Sequence, residues 1–148
     1  MLVRSISPAH RPPGFLRLPF YASRVSAGFP SPAEEHLEGV LDLNDLMISR
    51  PNSTFFVRVQ GDSMNGAGIY NDDILVVDRA AAPKNRDVVL AVVDGEFTVK
   101  RWIKRARKVL LVPENPNYPE IDIENHQKVE IWGVVTFAIH PFRTPTVV

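Results

Sequence analysis

From residue 52 onward the apolar positions come in short β-rich runs separated by polar turn residues. Residues 54–59 (Thr-Phe-Phe-Val-Arg-Val) form the first run, and residues 74–77 (Ile-Leu-Val-Val) follow the turn signal Asn71-Asp72-Asp73. Residues 88–93 and 97–102 flank Asp94-Gly95, a hairpin signal. Residues 109–112 lead into the turn-rich stretch 113–119, and residues 129–137 close the set. Short strands with turns every 8–12 residues or so predict a mainly β protein, a compact barrel or sandwich rather than a parallel α/β sheet.

The chain before residue 52 reads differently. Pro8, Pro12, Pro13, Gly14 and Pro19 interrupt it too often for a helix. Its apolar residues (Phe15, Leu16, Leu18, Phe20, Tyr21, Val25) are too many for a solvated linker, so an extended N-terminal arm docked along a surface is expected over residues 1–28. The body, residues 29–148, opens on Phe29-Pro30-Ser31-Pro32. Ser31 suits an N-cap, Pro32 the first helical position, and Glu34 completes capping-box spacing. Leu37, Val40 and Leu41 then fall on one helical face, which predicts a short helix, with a further turn over residues 42–47.

At 148 residues the chain is sized for one domain, or one domain plus a tail. Hydrophobic residues make up 45% and charged residues 23%, so the bulk of it is neither disordered nor fibrous. The absence of cysteine excludes disulfide scaffolds, thiolate metal sites and a cysteine nucleophile. No apolar run approaches the ~20 residues needed to cross a bilayer, and residues 1–8 lack a secretory signal's apolar stretch, so a soluble cytoplasmic protein with no membrane partner is expected. The net charge of zero argues against direct nucleic-acid binding. Charge is uneven all the same: residues 1–28 hold Arg4, Arg11, Arg17 and Arg24 and no acid, leaving the rest of the chain mildly acidic.

Gly61, Gly66 and Gly68 match neither phosphate-loop nor dinucleotide fingerprints. His10, His36, His126 and His140 are widely separated, none with metal-ligand spacing, so no cofactor or metal is called for. Gly61-Asp62-Ser63-Met64 comes directly after a strand, between flexible turns. A serine there can present its hydroxyl at a bend, beside backbone N–H groups able to stabilise an oxyanion. With no histidine placed to match, the candidate base is a lysine that folding desolvates. Of five lysines, Lys84, Lys104, Lys108 and Lys128 occupy loops, a charged stretch or a strand's edge; only Lys100 lies inside an apolar hairpin strand, sharing a face with Thr98 and Trp102. On the residues alone, the plainer reading, a snorkelling strand lysine and an incidental turn serine, is favoured over a Ser–Lys dyad.

Gly61-Asp62-Ser63-Met64, then Asp94-Gly95-Glu96-Phe97-Thr98-Val99-Lys100-Arg101, with 37 positions from serine to lysine, resembles the LexA/UmuD family of self-cleaving serine peptidases. Residues 27–33 (Ala-Gly-Phe-Pro-Ser-Pro-Ala) look like the self-cleavage segment of its UmuD branch, and Asp42-Leu43-Asn44 with Leu46 resembles the stretch next to that segment. The resemblance runs over roughly residues 25–137, and the segment before Ser63 is short for a repressor's helix-turn-helix domain. Two turns depart from the family pattern: Asn71-Asp72-Asp73 stands where Asp-Gly-Asp is usual, and Arg86 where a glycine is common.

The resemblance implies a LexA-type peptidase fold, with Ser63 as nucleophile, Lys100 as general base, the backbone N–H groups of Ser63 and Met64 as oxyanion hole, and cleavage between Ala27 and Gly28. Val25 would enter a shallow apolar pocket beside that bond. It further implies a bacterial SOS-response role: a homodimer, activated by a RecA-type filament on single-stranded DNA, whose shortened form serves a Y-family polymerase catalytic subunit in error-prone translesion synthesis. The competing readings are a signal peptidase, which needs a membrane anchor, a non-enzymatic β-barrel interaction module, and a cleavable phage-type regulator lacking its DNA-binding domain.

Overall fold

The computed structural model describes residues 1–8, 16–21, 37–125 and 128–146. Ten strands appear in it: β1 (Leu2–Pro8), β2 (Leu18–Tyr21), β3 (Leu37–Leu41), β4 (Thr54–Gln60), β5 (Ile74–Asp78), β6 (Val88–Val93), β7 (Glu96–Arg105), β8 (Lys108–Val112), β9 (Ile121–Asp122) and β10 (Val129–Ile139). One short helix, α1 (Leu43–Met47), is capped by Asp42, whose carboxylate accepts from the Asn44 N–H at 2.8 Å. These elements fall into two compact units, one holding β1 and everything from Arg50 onward, the other β2, β3 and α1.

The larger unit is an antiparallel eight-stranded sheet in the order β1-β4-β5-β10-β6-β7-β8-β9. The mainly β class and all six runs predicted from residue 52 onward are present. β6 is apolar at every position because both its faces are covered. Leu90 belongs to a cluster with Val57, Val59, Leu75, Val77 and Val99, while Val89 and Ala91 point the other way to Leu111 and Val134. The turn after β6 places Asp94 at φ +50° and Gly95 at +86°, the left-handed pair a tight hairpin requires. Both departures from the family's glycine pattern are also left-handed, Asp72 at φ +68° and Arg86 at +80°.

β10 bends through two register shifts, at Ile131/Gly133 and Val135/Phe137, and so pairs with β6 along one part and β5 along the other. The tail beyond it is anchored: His140 Nδ1 lies 2.5 Å from Asp73 Oδ1, a carboxylate that is fully buried.

The smaller unit corrects one expectation. Residues 37–41 are strand, not helix: Leu18 pairs with Leu41, Pro19 with Val40 and Phe20 with Gly39. Leu37, Val40 and Leu41 satisfy helical spacing, but Gly39 weakens a helix interior and a strand partner is at hand. The helical turn expected over residues 42–47 is present as α1. The proposed cap at Ser31-Pro32-Glu34 and the arm–body boundary at residue 28 lie outside the described residues.

A Cβ added at Gly133 would stand 2.6 Å from Val77 Cγ1 and 2.9 Å from the Asp78 carbonyl, so β10 closes on β5 only because no side chain intervenes. Gly133→Ala is expected to destabilise the protein by about 1–3 kcal/mol through overpacking. Urea unfolding checks this: the midpoint falls while the slope stays unchanged.

Candidate active site

β4 ends at Gln60, and the chain turns sharply at Gly61, whose φ of +104° suits glycine. The Gly61 N–H donates to Asn71 Oδ1 at 2.9 Å. Beyond it the turn closes on itself: the Asn65 N–H donates to the Asp62 carbonyl, and the Ala67 and Ile69 N–H groups donate to the Met64 carbonyl. Met64, fully buried in the core, pins the middle of this turn. Ser63, beside it, is also fully buried.

Lys100 reaches the same point from β7, where it pairs across the sheet with Val89 of β6. It is only 5% exposed, so its ammonium does not snorkel to water. Nζ donates to Ser63 Oγ at 3.3 Å, Thr98 Oγ1 at 3.1 Å and the Val99 carbonyl at 3.1 Å. Three acceptors meet its three donors. Burial pushes the Lys100 pKa below its ordinary value of 10.5, against the opposing pull of a hydrogen bond with the amino terminus.

That amino terminus is the unexpected occupant. β1 pairs antiparallel with β4, Leu2 facing Gln60 and Val3 facing Val59, which carries Met1 into the cleft. The Met1 amine donates to Ser63 Oγ at 2.7 Å, and its side chain joins the core cluster of Val57, Val59 and Met64. Burial, then the neighbouring Lys100, lower this amine from 8.0 to about 5, while Asp62 pulls the other way. Two amines thus converge on one desolvated hydroxyl, and both have their charged forms disfavoured by burial.

A cavity of about 430 Å³ is lined by Met1, Val93, Glu96, Phe97, Thr98 and Ile121, among others. Among the described residues no group of three or more His, Asp or Glu side chains could hold a metal ion. No helix among them is long and apolar enough to cross a membrane.

Of the residues singled out from sequence, Ser63 and Lys100 come together, with Met64 adjoining; Val25, Ala27 and Gly28 lie outside the described residues. Thr98 as a partner of Lys100 carried a signal, since residues two apart on a strand share a face. Met1 carried none.

The family described as Peptidase S24-like matches residues 19–136. The chain is 51% identical over 126 residues to the protein ImpA of Salmonella typhimurium, covering 84% of this chain and 85% of that protein. It is 42% identical over 127 residues to the protein MucA of Escherichia coli, covering 84% and 86%. It is also 42% identical over 141 residues to LexA repressor 1 of Geobacter sulfurreducens, covering 95% of this chain and 69% of the repressor. With a buried serine and lysine meeting at the turn and strand that carry the family's motifs, the chain belongs to the LexA/UmuD family of self-cleaving S24-type serine peptidases, on its UmuD side.

Proposed function

We propose that the protein cleaves its own chain between Ala27 and Gly28, with Ser63 as nucleophile and Lys100 as general base. The observation that carries this reading is a buried lysine amine 3.3 Å from a buried serine hydroxyl, its pKa lowered by desolvation. Neutral Lys100 Nζ takes the hydroxyl proton as Ser63 Oγ bonds to the Ala27 carbonyl carbon. The backbone N–H groups of Ser63 and Met64 receive the developing oxyanion. The Ala27–Gly28 bond then breaks, and Lys100 returns the proton to the departing Gly28 amine. Water, deprotonated by Lys100, hydrolyses the acyl ester and frees Ser63. Val25 enters a shallow apolar pocket, and tethering supplies the effective concentration that a modest catalyst needs.

Residues 1–28 are then a cleavable arm, of which the reaction releases residues 1–27, and residues 29–148 the peptidase domain. The family supports a place in SOS mutagenesis, in the bacterial cytoplasm. There the protein acts as a homodimer, is stimulated by a RecA-type filament on single-stranded DNA, and in shortened form serves a Y-family polymerase catalytic subunit.

The Met1 amine stands where the Ala27 carbonyl must arrive, so cleavage requires β1 to leave the β4 edge. Removing residues 1–8 is therefore expected to accelerate self-cleavage, read as the rate of appearance of the chain that begins at Gly28. An unchanged rate would mean that β1 does not compete.

The deciding experiment tracks intact mass of the full chain at pH 7 and pH 10, beside Ser63→Ala and Lys100→Ala. Loss of residues 1–27, abolished in both variants, is expected. A wild-type chain that stays uncut even with a nucleoprotein filament added identifies an inert interaction module instead. The pH profile tests the base separately. Because the lysine's pKa is lowered, its neutral fraction grows with pH and saturates sooner than for a free lysine. The cleavage rate should rise from pH 7 and level off with a midpoint below 10.5. A rate flat from pH 7 to pH 10 counts against lysine as the base.

A further inference from the structure

The turn that carries Ser63 is held from outside by the loop after β8. Three hydrogen bonds cross between them. The Gly66 N–H donates to the Glu114 carbonyl at 2.9 Å, Asn115 Nδ2 donates to the Asp62 carbonyl at 3.0 Å, and the Tyr118 hydroxyl donates to Asp62 Oδ1 at 2.5 Å. The approach is close: a Cβ at Gly66 would lie 2.7 Å from the Glu114 oxygen. The loop is itself braced, since the Asn117 N–H donates to Asn115 Oδ1 and the Tyr118 N–H to the Asn115 carbonyl.

The same loop is fastened to the strand of the candidate base. Arg101, next to Lys100, donates through Nε to Glu114 Oε1 at 2.5 Å and through Nη1 to the Arg86 carbonyl at 2.5 Å. One continuous path of bonds therefore runs from Lys100's neighbour, through Glu114 and its loop, to the residue preceding Ser63. Proximity alone does not set a distance of 3.3 Å between two side chains on separate elements; a brace between those elements does. The braced Asp62 carboxylate lies near enough to the cleft to act on the Met1 amine. Its bond to Tyr118 in turn holds that phenol above its usual pKa of 10.0.

We propose that Tyr118 and Asn115 are positioning residues of the Ser63–Lys100 pair: by gripping Asp62 from a loop tied to β7 through Arg101–Glu114, they hold Ser63 Oγ within reach of Lys100 Nζ. The inference rests on the Ser–Lys reading of the site. It assigns work to a loop whose side chains touch neither reacting atom.

Tyr118 is 41% exposed, so Tyr118→Phe deletes one hydroxyl without disturbing the core. Self-cleavage in the full-length chain should slow on the order of tenfold to a hundredfold, the scale of a small misplacement of reacting groups. The pH profile should keep its midpoint while its plateau drops, with the melting temperature unchanged. Labelling of Ser63 by a fluorophosphonate probe, which needs no scissile segment, should slow in parallel. Combined with Asp62→Ala, Tyr118→Phe should add no further slowing, since both cut the same bond. Wild-type rates of cleavage and labelling in Tyr118→Phe overturn the proposal, as does slowed cleavage with unchanged labelling, which places the effect on the arm. Multiplicative slowing in the double variant overturns the route through Asp62. A wild-type chain that neither cleaves nor labels even with the nucleoprotein filament added removes the Ser–Lys reading along with this one.

Discussion

The burial of one ammonium group organises this molecule. A lysine side chain taken out of water loses hydration that only well-placed acceptors replace. Lys100 finds them in Ser63 Oγ, from the turn after β4, and in Thr98 Oγ1 and the Val99 carbonyl of its own strand. The period of two along β7 brings Thr98 to the same face. The hairpin with β6 covers that face with Val89 and its neighbours, and the turn after β4 delivers the serine. On the proposed mechanism desolvation does the chemical work, because the neutral amine it favours is the form that accepts a proton.

Placing that amine so deep has two consequences. The pocket disfavours charge, so burial and the neighbouring Lys100 also lower the pKa of the second amine in it, that of Met1. At Ser63 the cleft is also occupied, by the Met1 amine at 2.7 Å from Oγ. Whatever lies on the β4 edge therefore governs access to the hydroxyl, and the first strand lies there now. The chemistry of the pair and the accessibility of the pair are separate properties, set by different parts of the chain.

The sheet's architecture explains why so small a body can hold such a site. β6 is covered on both faces, β10 bends at two bulges to serve both β5 and β6, and Gly133 lets the strands close without a gap. A rigid frame of this kind keeps a turn and a strand in register, and the braces from Glu114, Asn115 and Tyr118 refine what the frame alone leaves loose.

Much of this was legible in the residues. Short β-rich runs bounded by turn chemistry located six of the seven strands between Thr54 and Ile139, all but Ile121–Asp122, because β-propensity and left-handed turn positions are local properties. Ser63 and Lys100 stood out by type and setting, though only resemblance to a family joined them across 37 positions. Residues 37–41 form a strand although Leu37, Val40 and Leu41 satisfy helical spacing, because the partner strand that decides the matter lies beyond a local pattern's reach. The Met1 contact, 62 residues from Ser63, and the grip of Tyr118 on Asp62, 56 residues away, had no sequence signature at all. The sequence by itself thus determined which segments extend, where they turn and which side chains could react. Tertiary structure alone decided which edge β1 joins, how near the lysine comes to the serine and what braces them, because those depend on pairing between distant segments that no local period encodes.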